Sequence, residues 1–145
     1  MKQYDLEAAV LSCLLQKPEL IKELKLEDKH FVSTQRIWQF MKAFYDKFET
    51  FDISLMYSVC KDKFRMISYF EWLIDFYPPT KTHFEKMQDR IIEMYEQTKK
   101  EEWITEKVFA LANQLYVKNI SFNEFLLKID SVLDDANIFF KDDKK

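Results

Sequence analysis

Not one glycine occurs in the chain, and that omission closes off more folds than any motif opens. Average usage would place roughly ten in a chain of this size. Loops that cradle phosphates and dinucleotide-binding turns need glycine where the backbone meets its ligand. Tight two-residue hairpins favour it strongly. Helices can do without it, ending on asparagine, lysine or a proline-led turn. The fold class this points to is all-α, and P-loop or Rossmann chemistry is excluded from these residues.

Of the 145 residues, 48% are hydrophobic and 17% aromatic, enough for a real core without covalent staples. Charged residues make up 32%, and the net charge is only -3. Both signs alternate along the chain, so no positive surface gathers phosphates and direct nucleic-acid binding is not expected. The densest basic stretch, KDKFR at 61–65, suits a helix C-terminus, where cations favour the helix dipole. Cys13 and Cys60 both fall in apolar helical patterns and read as buried, reduced thiols. Asp5 and Glu7 precede a short apolar run, unlike a basic leader. No apolar stretch approaches the ~20 residues that span a bilayer. A soluble, cytoplasmic protein without membrane contact is the expectation.

The helical pattern is continuous. Asp5 is placed to cap a first helix whose face is Leu6, Ala9, Val10, Cys13 and Leu14. Pro18 ends it and opens the short helix PELIKEL. LEDKHF reads as another short turn, turning Phe31 inward. Ser33 or Thr34 caps a helix over about 34–48 with Ile37, Phe40, Met41, Phe44 and Phe48 inward and Trp38 and Tyr45 widening its face. Asp52 caps the next, with Leu55, Met56, Val59 and Cys60. Another spans about 65–76, carrying Ile67, Phe70, Leu73 and Ile74.

YPPT, at 77–80, stops that run, because a residue before proline is pushed out of helical geometry. A boundary here gives a compact multi-helix head at 1–79, a long helical hairpin at 80–137 and a polar tail at 138–145. Thr82 and Glu85 have capping-box spacing, as do Ser121 and Glu124. Phe84, Met87, Ile91, Met94 and Thr98 alternate steps of three and four, the spacing of a seam laid against another helix. The helix continues, with a bend expected near 99–103, to Leu115; VKNIS breaks it. In the last helix Phe122, Phe125, Leu126, Ile129, Val132 and Leu133 form one stripe.

Chemistry finds no foothold. His30 and His83 have no companion ligands at metal-site spacing. No nucleophile has a base at a recognisable spacing, and the carboxylates lie on polar helix faces. No catalytic residue, cofactor or metal is expected, and the chain is read as no enzyme.

The stripes carry a family likeness. LEAAVLSCLLQKPELI resembles the opening of the N-terminal, collar domain of DnaB-type replicative helicases. LEDKHFVSTQRIWQFMKAFYDKFETFDISLM continues the likeness through Phe31, the aromatic helix Ile37 to Phe44 and the turn ending in Asp52. YPPTKTHFEKMQDRII is similar to that family's proline–threonine junction, with Phe84 or Met87 at a tyrosine-like position. The likeness runs from residue 5 to about 117. Ser12 and Phe51 stand where the family often has glycine, and the GxxxxGKT loop of the ATPase motor is missing. The resemblance implies a collar domain alone: a helical head with a hairpin that pairs subunits, forming a homodimer or higher oligomer and meeting helicase, helicase loader or primase. Met87, Ile91, Met94, Leu115, Phe122, Leu126, Ile129 and Leu133 are the contact positions it implies. It also implies a replication accessory of phage or mobile-element type, which loads or inhibits a helicase. The other reading is a structural homo-oligomeric adaptor unrelated to replication.

Overall fold

The computed structural model describes residues 2–60 and 64–139. All regular structure among them is helical: α1 (Gln3–Gln16), α2 (Gln35–Phe48), α3 (Ile53–Val59), α4 (Phe64–Leu73), α5 (Lys81–Tyr116) and α6 (Phe122–Phe139), with short 3-10 turns at Pro18–Glu23 and Asp28–His30. Most of the basic stretch at 61–65, and the tail from 140 onward, lie outside the described residues. The chain divides into two compact units, Met1–Glu93 and Met94–Lys145. The expected boundary at 79/80 differs from this division, which falls inside α5. The reason is burial: Phe84, Met87, Gln88 and Ile91 on the first turns of α5 all belong to the first unit's interior.

In the first unit, α1 is enclosed on every side, with each residue from Leu6 to Leu15 buried. A helix apolar all round is a core helix, and Ala8 and Ala9 allow its neighbours close approach. It packs on the Pro18–Glu23 turn and on α4. Phe70 and Leu73 of α4, Met56 of α3 and Met41 of α2 complete the interior. Aromatic rings tie α2 into it: Phe31 stacks on Trp38 at 4.5 Å, Phe40 meets Phe70 at 5.6 Å, and Tyr45 meets Phe51 at 5.1 Å.

Three buried polar side chains hold the segments between helices. Glu7 accepts from the backbone N–H groups of Ser33 and Thr34, both at 3.0 Å, and from the Thr34 hydroxyl at 2.8 Å. Ser12 accepts the Tyr77 N–H at 3.1 Å, and Gln16 donates to the Tyr77 carbonyl at 2.5 Å. These bonds pin the double-proline junction to α1. Gln88 accepts from Lys25 and Leu26 N–H groups and donates to the Glu23 carbonyl at 3.1 Å. Each of these three segments thus has backbone groups satisfied by a helix side chain, as burial requires.

These bonds also revise the expected caps. α1 begins at Gln3, so Asp5 lies inside its first turn and does not cap it. Thr34 is the N-cap of α2 but makes no side-chain cap bond; its hydroxyl donates to Glu7. Asp52 caps α3, accepting from the Leu55 N–H at 2.8 Å. α5 starts at Lys81, which puts Thr82 within the helix and not at its cap. It runs unbroken through 99–103.

Without glycine, left-handed positions fall to Glu49 (φ 54) and Lys118 (φ 65). Glu49 ends α2, its N–H bonding to the Tyr45 carbonyl. Lys118 ends α5 in a Schellman arrangement: its N–H bonds to the Leu115 carbonyl and that of Asn119 to the Gln114 carbonyl. Ser121 and Glu124 then form the expected capping box at the start of α6, at 3.1 and 3.4 Å.

In the second unit the inner positions recur at i, i+4, i+7 and i+11 on both helices. They are Ile104, Val108, Leu111 and Leu115 on α5, and Phe125, Ile129, Val132 and Ala136 on α6. Leu111 and Ala136 are buried, and the rest are half-buried.

Two substitutions test these devices. Glu7→Ala strands two backbone N–H groups and one hydroxyl, so denaturant unfolding shows a loss of about 2–4 kcal/mol. Glu49→Gly relieves left-handed strain and raises stability by about 0.5–1 kcal/mol in the same assay.

Candidate functional site

The contact residues expected from sequence divide sharply. Met87 and Ile91 are buried in the first unit, so neither is open to a partner while that unit is folded. The seam that begins at Phe84 closes the chain's own core, at least as far as Ile91. Met94, Leu115 and Ile129 are half-buried in the second unit. Phe122 (61% exposed), Leu126 (47%) and Leu133 (44%) face solvent.

The single α6 stripe read from sequence is therefore two faces. Phe125, Ile129, Val132 and Ala136 turn inward, while Phe122, Leu126 and Leu133 lie on the adjoining face. A seam against one helix covers only a narrow stripe, and the α6 pattern is wider than that. Phe109 (70% exposed), Tyr116 and Val117 around the end of α5, with Leu127 and Ile138 on α6, add further exposed apolar side chains.

The first unit carries a cleft of about 580 Å³, lined by Ile21, Leu24 and Leu26 on one side and by Trp38, Lys42, Tyr45 and Asp46 of α2 on the other, with Glu27, Asp28 and Lys29 at its rim. Periodicity placed Trp38 and Tyr45 on α2; the opposing wall spans the end of the Pro18–Glu23 turn, read from sequence as the short helix PELIKEL, and the non-helical residues 24–27 after it. Gln88 holds that wall by its bonds to 23–26. The rim at 27–30 is closed by a reciprocal pair, in which the Glu27 side chain accepts from the His30 backbone and His30 Nδ1 accepts the Glu27 N–H at 2.8 Å. Asp28 accepts from the Trp38 indole N–H at 2.8 Å and from Lys42 at 3.1 Å. The Trp38 bond first, and Lys42 after it, hold the Asp28 carboxyl below the usual carboxylate range.

Among the described residues, no group of three His, Cys, Asp or Glu could hold a metal ion. His30 is buried and engaged with Glu27, while His83 is exposed on the first turn of α5. Cys13 and Cys60 are both buried and form no disulfide. Burial pushes the Cys13 thiol up to about 11, which removes the thiolate a nucleophile needs. No described helix is long and apolar enough to cross a membrane.

A family model described as the DnaB-like helicase N terminal domain matches residues 1–93. The match ends where the first compact unit ends, so it is shorter than the stretch to about 117 over which the likeness was read. No curated protein and no solved structure matches the chain.

A thiol-reactive dye at pH 8 checks the buried cysteines. Neither thiol reacts rapidly in the native protein, and both react once denaturant unfolds it. For Cys13, native reactivity emerges only as the pH approaches about 11.

Proposed function

The chain belongs to the DnaB-like helicase N-terminal domain family, and from that membership we propose that it is a non-enzymatic accessory of DNA replication. It acts by binding a replicative helicase, a helicase loader or a primase, as a loading factor or an inhibitor. The family match over 1–93 is the observation that carries this reading. The glycine-free composition supports it, because no phosphate-cradling loop of the Walker type can form within these residues. The exposed apolar face of the second unit supports it too, since Phe122, Leu126 and Leu133 offer anchors of the kind that dominate interfaces. Residue by residue, the contact set for this role is Leu115, Phe122, Leu126, Ile129 and Leu133, with Met94 at its margin. A cytoplasmic setting and a phage or mobile-element origin belong to the same proposal.

A second reading draws on one observation: the residues beyond 93 lie outside the family match. There the exposed face would serve a homodimer or higher oligomer, as a structural adaptor unrelated to replication.

Sedimentation velocity, with and without purified helicase, loader and primase, separates the two. The accessory reading expects the chain to co-sediment with one of them. It also expects the Phe122→Glu/Leu126→Glu double variant to bind that protein at least about thirtyfold more weakly. Concentration-dependent self-association without any such binding supports the adaptor. A monomer with affinity for none of the three overturns both.

A further inference from the structure

The cleft beside α2 has the make-up of a receptor for a basic, amphipathic peptide segment. Its apolar surface comes from Ile21, Leu24 and Tyr45, each half-buried, above the buried Leu26 and Trp38. Trp38, Lys42, Tyr45 and Asp46 stand at i, i+4, i+7 and i+8, so they share one face of α2. That face runs for about 12 Å along the helix axis, long enough for two side chains spaced one helical turn apart. The walls are held in place before any ligand arrives, by Gln88 on one side and the Trp38–Asp28 bond on the other. Such preorganisation lowers the ordering cost of binding.

The charges choose the occupant. Three carboxylates, Glu27, Asp28 and Asp46, face two ammonium groups, Lys29 and Lys42. Lys42 is paired with Asp28 at 3.1 Å and Lys29 with Glu27 at 3.9 Å. Asp46 has no ion-pair partner among the described residues, and it sits one residue beyond the apolar Tyr45. We infer that this cleft binds a segment of a partner protein that inserts a large apolar side chain between Tyr45 and the Ile21–Leu24 wall and places a lysine or arginine on Asp46. The inference rests on the reading of the chain as a protein-binding accessory and names a second contact surface for it, within the family-matched unit.

The test uses the full chain labelled with nitrogen-15 and two synthetic amphipathic peptides. Both carry leucine at the insertion position; one has lysine a turn away and the other has glutamate. The lysine peptide shifts amide signals within 21–29 and 38–46 and binds about fivefold more tightly than the glutamate peptide, as partly exposed charge pairs allow. Asp46→Lys, a change at an exposed site, reverses that preference, and Ile21→Glu abolishes both titrations while leaving the remaining spectrum native. Shifts confined to other residues overturn the assignment, as does equal affinity for the two peptides or an unchanged preference in Asp46→Lys. Helicase, loader or primase binding that persists undiminished in Asp46→Lys and Ile21→Glu removes the cleft from the interaction and leaves the accessory role standing.

Discussion

The carboxylate of Glu7 sets the terms for the first unit. It sits fully buried on a helix that has no solvent-facing side, and it takes the N–H groups of the segment entering α2. Burying a charge without such partners would cost several kcal/mol. Burying the Ser33–Thr34 backbone without an acceptor would be costly as well. Each need answers the other. α1 can be enclosed because its polar groups are consumed by loops, and the loops can be close-packed because α1 supplies their acceptors.

The same exchange recurs at Ser12 and Gln88, and it explains how a chain without glycine builds irregular segments. Glycine would let the backbone turn into conformations that satisfy themselves. Here the turns are held by side chains projecting from helices, and two left-handed positions are borne by Glu49 and Lys118. The double-proline junction is a case in point. The prolines stop the helical run after α4, but the direction of the chain into α5 depends on Ser12 and Gln16 gripping Tyr77. α5 then places Gln88 against the 23–26 loop, which is one wall of the cleft. A helix-borne amide thus shapes a surface far away in sequence.

What could be read from the sequence was what depends on neighbours. The Asp52 cap, the Ser121/Glu124 box, the break at 77–80 and the run of helices all arise from contacts within a turn or two. The Glu7 bonds join residues 26 and 27 positions apart, and those of Gln88 and Ser12 join residues more than 60 apart. Local periodicity carries no trace of such pairings. The Thr82/Glu85 spacing misled because the helix begins at Lys81, before Thr82. The seam from Phe84 announced that a stripe would be covered, but not by what. Its first part covers the first unit's core, so Met87 and Ile91 are spent there. On α6 the period located the apolar arc, whereas the split between an inward face and the face bearing Phe122, Leu126 and Leu133 depends on how much one neighbouring helix can cover. The cleft was illegible because its second wall is set in place by Gln88, more than 60 residues away in sequence.

Membership of the DnaB-like N-terminal family and the exposed apolar side chains on the second unit support the central proposal, that this chain acts by binding a partner protein. Hydrogen–deuterium exchange, read with and without the replicative helicase of its source, its loader and its primase, tests that claim most directly. The account predicts slowed exchange over 116–133 with at least one of the three, while α1 stays slow throughout. Exchange over 116–133 unchanged with all three proteins would contradict it.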